Sequence, residues 1–486
     1  MRFFHALTAW ALISIAVPVL ARPVSAMHWR ALTQLDVEAA HKLLLEDHPG
    51  AAKEVGDEAF QRQLSSAYAT AKGRAAKVDS YDGYLATLAG FSVSLGDKHI
   101  WSRPLYAAET RDWAGLIIAR RGKDFVVADE SEAAEGAALK GAKLVSCDGI
   151  SADRLADERL GEFKLVRGIG AQLVQRAWWL LVDDGNPFLK RPQTCQFLQE
   201  GQMRSVPLKW RSIARTELST RLAALPTRGA PGFGLKKAGE GWWISLQSLN
   251  ERALPVVEEV RSRAADIRAA PYVVLDMRGN GGGNSRFGRD IASALLGQQY
   301  VEAVGGGGGG GEACSKVWRV SDRNLKQLLY YKDELGPRQG KAATKAFSKE
   351  YESVAAAKAA GQSFSGKPRC ASSRAKQAKK VTAKPEYRGR IILLTDNACF
   401  SSCLLVTKEF RDLGALHVGE TTDANTNYME VREDKLPSGL SMFSTLQAVS
   451  PASPSQIGPF VPEVPYDGNI ADTAALEKWV ASVAAR

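Results

Sequence analysis

The chain has 486 residues, and 45% of them are hydrophobic, which is enough for roughly two to four domains with substantial cores. Its formal net charge of +11 indicates a basic surface. The basic residues are spread along the chain, and zinc-finger, RRM and helix-turn-helix signatures are missing from the sequence. The composition and the motifs together exclude nucleic-acid binding as a function class.

Residues 1–26 are predicted to be a signal peptide. Arg2 supplies the positive region, Ala6 to Leu20 the apolar region, and Val24-Ser25-Ala26 the small-residue cleavage site. No later stretch of the sequence is long and apolar enough to cross a bilayer. We therefore expect a periplasmic or secreted protein with no stable membrane span after signal removal. The alternative is that the first residues stay as an N-terminal anchor.

Six cysteines in an exported chain predict disulfides. Their order along the sequence suggests three local pairs: Cys147 with Cys195, Cys314 with Cys370, and Cys399 with Cys403. Free buried thiols are the alternative for each pair. No histidine lies near these cysteines at the spacing of zinc ligands, so we predict no metal and no cofactor.

Residues 27–104 show helical periodicity and are predicted to form an N-terminal helical domain. The domain ends in Leu95-Gly96-Asp97-Lys98-His99, in which Gly96 and Asp97 mark a turn. His99 follows this turn, where a side chain can be presented to a site. His417, by contrast, lies in an apolar run that is typical of a packed strand.

Residues 105–225 are predicted to form a compact β domain with an insertion. Strands at Leu116–Ile118 and Phe125–Val127, a tight turn at Asp148-Gly149 and a helix over Ser151–Leu160 follow one another. This order is similar to that of a PDZ domain, whose groove takes an extended peptide as an added strand. An insertion with Trp178 and Trp179 follows the helix.

Residues 226–304 and 389–486 alternate strands with helices, which predicts an α/β core. The segment Tyr272–Met277 is continuously apolar apart from Asp276, as in a strand buried on both faces. It leads into the glycine-rich run from Gly279 to Gly283. Backbone N–H groups in such a run can approach a ligand closely, as a phosphate cradle or an oxyanion hole, and a purely structural turn is the third interpretation. The lysine of a phosphate-binding loop is missing.

Residues 305–388 interrupt the core. They begin with seven consecutive glycines, Gly305 to Gly311, which predict a flexible hinge. A lysine-rich, mostly helical insertion follows, and its sequence fits a lid, a docking surface or a solvated decoration.

The core resumes at Ile391–Leu394, a predicted buried strand that leads through a short turn to Ser401 and Ser402 at the start of a helix. A turn of this kind exposes a hydroxyl beside unpaired backbone N–H groups, where an oxyanion is stabilised. A serine that caps the helix is the alternative interpretation.

Several segments together resemble the tail-specific, or C-terminal processing, serine peptidases. The residues that carry the resemblance are Asp276–Gly283, Ala398–Cys403, Val418–Thr422 and Pro459–Val464. The Asp97-Lys98-His99 element is similar to the D-x-H element of the branch related to the tricorn core protease. The resemblance implies a crotonase/ClpP-like α/β core with an N-terminal helical domain and a PDZ-like β domain.

The resemblance assigns Ser401 as the nucleophile and His99 as the general base. It assigns the oxyanion hole to backbone N–H groups of Gly281 or Gly282 and of Ser402. It implies an exported serine endopeptidase that cleaves extended or C-terminal segments of peptides or proteins through an acyl-enzyme. Ser402 is the alternative nucleophile.

The sequence departs from the family pattern at several positions. Ala424 stands where the Ser–Lys branch has its lysine, and Lys435 is too far along. Gln456 stands nearest to the glutamate of the histidine branch and is expected to orient His99, while Glu463 replaces the usual aspartate. Ser402, Cys403 and Leu404 replace the usual Ala-x-Glu.

These departures leave two alternatives open. One is a catalytically impaired relative that binds peptides through the PDZ-like groove. The other is acyl-CoA chemistry on the related crotonase fold. The sequence makes no prediction of the oligomeric state.

Overall fold

The computed structural model describes residues 25–131, 138–225, 231–308, 316–367, 383–450 and 457–486. Residues 1–24 of the expected signal peptide, Cys314, Cys370 and Gln456 lie outside these ranges. Within them, no helix is both long enough and apolar enough to cross a membrane.

Three helices begin the described chain, and each starts at a side-chain cap. They are α1 (Ala26–Asp47), α2 (Glu58–Ala75) and α3 (Tyr81–Val93), and a short strand, β1 (Ser102–Pro104), follows them. The oxygen atoms of Ser25, Asp57 and Ser80 accept hydrogen bonds from the first-turn N–H groups of these helices. Apolar residues of the three helices pack together in one core, which also includes Tyr428 and Phe443 from the end of the chain.

The second segment is mostly β. Its elements are β2 (Thr110–Trp113), β3 (Leu116–Arg121), β4 (Asp124–Glu130), β5 (Lys143–Cys147), β6 (Ile150–Ser151), α4 (Ala152–Leu160), α5 (Gly170–Arg176), β7 (Val182–Asp183), β8 (Thr194–Gln199), β9 (Gln202–Pro207), β10 (Arg211–Ala214) and α6 (Arg215–Ala223). One sheet has the order β3-β4-β5-β8-β9 with β6 beside β5, and a smaller one has the order β10-β2-β7. The disulfide between Cys147 and Cys195 joins β5 to β8.

A 3₁₀ segment, Ala177–Leu181, fills the space between β3 and α4. The Ala114 N–H donates to the Leu181 carbonyl at 3.0 Å beside the free edge of β3. Ala177, Leu180 and Leu181 are buried in the core of this domain. This segment of the chain therefore packs against both β3 and α4.

The third segment carries the first half of the core and the insertion. Its elements are β11 (Phe233–Ala238), β12 (Gly241–Leu246), α7 (Leu254–Ser262), α8 (Ala264–Arg268), β13 (Tyr272–Asp276), α9 (Arg286–Leu296), α10 (Gln298–Gly308), β14 (Val317–Trp318), α11 (Asp322–Tyr330), α12 (Gly336–Gln339) and α13 (Lys341–Ala359). Residues 305–308 of the predicted glycine hinge belong to α10, and residues 309–311 lie outside the described residues.

The last segment completes two sheets. Its elements are β15 (Arg390–Thr395), α14 (Ser402–Asp412), β16 (Leu416–Gly419), β17 (Tyr428–Lys435), β18 (Ser441–Val449), β19 (Val464–Pro465) and α15 (Thr473–Ala484). The core sheet has the order β11-β12-β13-β15-β16-β19, in which only β11 is antiparallel to its neighbour.

Strand β13 shows why this sheet is covered on both faces. Val273 and Leu275 pack against α7, α9 and α14 on one face, while Val274 on the other face shares a core with α15. Alternate side chains of a strand point to opposite faces, so a continuously apolar strand needs helices on both. The prediction of a mixed α/β architecture is confirmed.

A second sheet joins distant parts of the chain. Strand β18 pairs with β17 along one edge and with β1 and β14 along the other, all antiparallel. The N-terminal segment, the insertion and the core thus share one sheet. Because β1 follows His99 directly, this pairing fixes the D-x-H element against the core.

Candidate active site

The glycine-rich run and the serine turn meet at one edge of the core sheet. Strands β13 and β15 are parallel neighbours, so their carboxyl ends lie side by side. The Phe400 N–H donates to the Asn280 carbonyl at 3.1 Å. A Cβ atom placed on Gly282, whose φ is +103°, would lie 2.7 Å from the Ser401 Cβ. Only glycine therefore allows this close approach of the two loops.

Ser401 has a backbone conformation that residues other than glycine rarely adopt, with φ +57° and ψ −127°. Asn425 holds it from both sides, since its Oδ1 accepts from the Ser401 N–H at 3.0 Å and its Nδ2 donates to the Ser401 carbonyl at 3.1 Å. The disulfide between Cys399 and Cys403 spans the same turn. A strained serine held by independent contacts at a strand-to-helix turn is typical of a nucleophile.

The structure brings His99 to this serine from 302 residues away, with His99 Nε2 3.0 Å from Ser401 Oγ. The other ring nitrogen, Nδ1, lies 2.9 Å from Asp97 Oδ1. A carboxylate at Nδ1 favours the tautomer in which Nδ1 carries the proton and Nε2 accepts one. The ring packs on Phe400, with a centroid distance of 4.4 Å. This geometry lets His99 take the Ser401 proton.

Asp97 is the orienting carboxylate that the sequence analysis missed. The same Oδ1 atom also accepts the His99 backbone N–H at 2.8 Å, and Oδ2 accepts the Thr426 hydroxyl. Burial alone would raise the pKa of Asp97, but the charge of His99 and the hydrogen bonds from His99 and Thr426 outweigh it and lower the pKa. The D-x-H spacing is the sequence feature that could have identified it, because it places a carboxylate two residues before the histidine. Gln456, to which this role was assigned, lies outside the described residues.

The N–H groups of Gly281 and Ser402 are candidate oxyanion donors. Ser402 begins α14, so its N–H has no acceptor within the helix. Among the described residues neither N–H donates a hydrogen bond. The Gly282 N–H donates instead to Asn280 Oδ1 at 2.8 Å, so of the two glycines we retain Gly281 as the donor. The Ser402 hydroxyl donates to the Gly283 carbonyl at 2.6 Å rather than to His99.

A buried carboxyl, Asp396, ties the two loops together. Its Oδ2 accepts the Gly279 N–H at 2.9 Å and its Oδ1 accepts the Ala398 N–H at 3.0 Å. Burial, aided by the nearby charge of Glu420, raises the pKa of Asp396 to about 7 despite these hydrogen bonds. No sequence signal marked this residue.

Lys98, next to His99 in the sequence, is held in an ion pair. Its Nζ lies 2.7 Å from Asp423 Oδ2 and 3.0 Å from Gln175 Oε1. Gln172 donates to Asp423 Oδ1 at 2.9 Å. Burial lowers the pKa of Lys98, while the charge of Asp423 acts in the opposite direction. Because both glutamines come from α5, the β domain is attached directly beside the site.

Ser401, His99 and Gly281 open into one cleft of about 1500 Å³. The described ranges contain no group of three or more His, Cys, Asp or Glu side chains placed to hold a metal ion.

The chain is similar in sequence and in fold to known proteins. Residues 243–457 match the model of peptidase family S41. The crystal structure of mature CPAF has 14% identity and a TM-score of 0.59, and the match covers 94% of this chain and 98% of that one. Mature CPAF complexed with lactacystin has 14% identity and a TM-score of 0.60, with 94% and 99% covered. At this identity the matches show a shared fold. No curated protein matches the sequence.

The family match confirms the resemblance to the tail-specific, C-terminal processing serine peptidases. The matched region contains the glycine-rich run and Ser401, whereas His99 lies upstream of it. Residues 243–457 are similar to peptidase family S41, and the chain is a serine-type peptidase.

Proposed function

We propose that the protein is an exported endopeptidase that cleaves extended or C-terminal segments of proteins through an acyl-enzyme on Ser401. His99 is the general base, and Asp97 orients it. The observation that carries the proposal is the pair of contacts of the His99 ring, 3.0 Å to Ser401 Oγ and 2.9 Å to Asp97 Oδ1. Both distances are within hydrogen-bond reach, as a nucleophile, its base and an orienting acid require.

The reaction follows from this arrangement. As Ser401 Oγ attacks the scissile carbonyl carbon, His99 Nε2 takes the hydroxyl proton. The oxyanion then accepts from the N–H groups of Gly281 and Ser402, each worth about 2.7–4 kcal/mol to the transition state. His99 gives its proton to the leaving amine, which departs and leaves the acyl group on Ser401. A water molecule, deprotonated by His99, then hydrolyses the ester and restores the serine.

Two features support export. The first 26 residues fit a signal peptide, and two of the three expected cysteine pairs, Cys147–Cys195 and Cys399–Cys403, form disulfides. Disulfides persist in the periplasm and outside the cell, where thiols are not kept reduced.

The alternative of a catalytically impaired peptide-binding protein has less support. It is favoured by the missing glutamate of the histidine branch, but the Asp97 carboxylate lies 2.9 Å from His99 Nδ1 and can serve as the acid partner. It also needs an open groove in the β domain, whereas the segment Ala177–Leu181 lies between β3 and α4.

The proposal is tested by digestion of an unfolded protein with the purified mature enzyme. Ser401→Ala and His99→Ala are expected to lower kcat on the order of 10³-fold or more. Ser402→Ala, which keeps the backbone N–H, is expected to lose far less activity. If Ser402→Ala abolished cleavage and Ser401→Ala did not, the nucleophile would be Ser402. Cleavage that survived both His99→Ala and Ser401→Ala would contradict the mechanism.

A further inference from the structure

We propose, resting on the peptidase function above, that the insertion forms a fixed wall of the catalytic cleft and makes the enzyme prefer substrates with a bulky apolar side chain. The wall is defined here as residues 316–359, from the start of β14 to the end of α13. Its side chains Tyr331, Leu335 and Phe347 line the same cleft as Ser401 and His99.

The wall lies directly beside the oxyanion loop. Asn284, which follows the glycine-rich run, approaches Gln339 at the end of α12, with Asn284 Nδ2 3.4 Å from Gln339 Oε1. Gln339 also lines the cleft. An extended substrate bound across Ser401 therefore passes the wall within a few residues of its scissile bond, since each extended residue spans about 3.3 Å.

Several contacts fix the wall in place. Trp318, Leu328 and Val354 of the wall share a small core with Ala448 of β18. Lys316 lies 2.7 Å from both Glu350 of α13 and Glu430 of β17. These contacts attach the wall to the second sheet at its start and along α13.

A buried ionic network attaches the wall to the N-terminal helices as well. Arg323 Nε lies 2.6 Å from Asp47 Oδ2 at the end of α1, and Asn324 Nδ2 donates to the Asp47 carbonyl at 3.1 Å. Arg432 of β17 binds the same Asp47 Oδ2 at 2.6 Å. Of the three sequence interpretations of the insertion, a lid and a solvated decoration fit these contacts poorly, because both imply a weakly attached segment.

Three ion pairs lie among the charged side chains of the cleft. Arg289 pairs with Glu409 at 2.7 Å, Lys408 pairs with Asp412 at 2.5 Å, and Lys316 pairs with Glu430 at 2.7 Å. Beside them the cleft presents the partly exposed apolar side chains Tyr331, Leu335 and Phe347 of the wall, with Leu405 of α14, which is 41% exposed. Apolar contacts of this kind favour a large apolar substrate side chain over a small or charged one.

A position-scanning library of internally quenched peptides tests the preference. In each set one position around the scissile bond carries Phe, Leu, Ala or Asp. At one or more of the scanned positions, the kcat/KM of the wild-type enzyme for peptides with Phe or Leu is expected to be about 10-fold to 100-fold higher than for peptides with Ala. Phe347→Ala and Leu335→Ala are each expected to reduce that ratio several-fold, because kcat/KM falls for the Phe and Leu peptides and does not change for the Ala peptides.

The controls are Leu329→Ala and Tyr330→Ala on α11, which are 38% and 47% exposed and do not line the cleft. Both should keep the wild-type ratio. Thermal melting shows that each variant is folded, and labelling of Ser401 by a small fluorophosphonate shows that the catalytic centre is intact. Labelled, folded Phe347→Ala and Leu335→Ala enzymes with unchanged ratios would overturn the wall proposal while the peptidase function stands. If the folded wild-type protein were not labelled at Ser401, the peptidase function itself would be overturned.

Discussion

Asp97 and His99 stand two residues apart on one turn, so the base and the group that orients it are placed by the same local fold. Asp97 is buried, with 3% exposed, and accepts both the backbone N–H and the ring N–H of His99. A carboxylate that accepts both bonds restrains rotation of the ring as well as its tautomer. At the scale of single residues, therefore, the site consists of two parts. One is the three-residue unit 97–99, and the other is the strained Ser401.

Asp97→Asn is expected to lower kcat by about 10²-fold to 10⁴-fold with little change in KM. The amide keeps the shape but removes the negative charge that stabilises the imidazolium and the correct tautomer. Steady-state kinetics on one peptide measures both constants. Gln456→Ala is the matched comparison and is expected to retain most of its kcat. If Gln456→Ala lost its kcat and Asp97→Asn kept it, Gln456 would be the residue that orients His99.

Gly282→Ala is expected to abolish most of the activity, because the new Cβ would lie 2.7 Å from the Ser401 Cβ and 2.9 Å from the Ser402 nitrogen. Gly281→Ala should lose much less, since nothing lies within 4 Å of a Cβ at that position and its N–H is kept. The rate of peptide cleavage, compared at equal amounts of folded protein, distinguishes them. Equal losses in the two variants would contradict the proposed packing of the loops.

Ser401 and His99 were predicted from the sequence, whereas Asp97, Asn425 and Asp396 were not. The first two belong to local patterns, a strand-turn-helix and a turn followed by histidine. Asn425 holds Ser401 across 24 residues, and Asp396 holds Gly279 across 117. Contacts of that separation depend on the folded sheet and leave no local pattern. Asp97 differs from these two, since it lies inside the D-x-H element while the family resemblance assigns the orienting role to a distant glutamate position.

At the scale of elements, the turn between β15 and α14 is the most constrained. Cys399 and Cys403 close a loop of three residues around Ser401, and both cysteines are fully buried. The second disulfide, between Cys147 and Cys195, lies in the β domain and touches neither loop of the site. The two disulfides therefore differ in position relative to the catalytic centre.

Replacing Cys399 and Cys403 together by alanine is expected to lower kcat at least about 10-fold, because a misplacement of the nucleophile by about 1 Å can cost far more than that. Replacing Cys147 and Cys195 together should lower the melting temperature and leave kcat at permissive temperature within about 2-fold, since the catalytic turn is unchanged. Peptide kinetics well below both melting temperatures makes the comparison. A larger loss of kcat in the β-domain variant would contradict the assigned role of the Cys399–Cys403 bridge.

Strand β13 was predicted in type and in its burial on both faces, because its apolar run is long and ends at glycines. The wall and the position of Ala177–Leu181 in the β domain were not predicted. The wall depends on ion pairs such as Arg323 with Asp47, which are 276 residues apart. The segment Ala177–Leu181 packs against β3 and α4, which are distant elements of the same domain. Periodicity describes one element at a time and carries no information on such pairings.

For the whole molecule, buried titratable groups determine how stability depends on pH. Burial lowers the pKa of His48 and of His417 to about 4, from 6.5. Between these values the unfolded chain binds two protons that the folded protein does not bind. Burial raises the pKa of Asp396 to about 7, from 3.8, so this group binds one proton in the folded protein over nearly the same range. For these three groups the balance is one additional proton on the unfolded chain.

The free energy of unfolding is therefore expected to fall as the pH drops from about 6.5 to about 4, by roughly 1.4 kcal/mol per pH unit from these three groups. Urea unfolding at a series of pH values measures the slope. His48→Asn should flatten the slope, because it removes one proton that only the unfolded chain binds. Asp396→Asn should steepen it, because it removes the group that acts in the opposite direction. The account of these buried groups is wrong if neither variant changes the slope.

The whole account depends on a proton transfer between two side chains that the fold brings together across 302 residues. The most direct test is covalent labelling of the folded, purified protein with a fluorophosphonate, followed by mass spectrometry of the labelled peptide. We predict one modified residue, Ser401, with a labelling rate that falls at least about 100-fold in His99→Ala and less in Asp97→Asn. Label on Ser402, or an undiminished rate without His99, would contradict it.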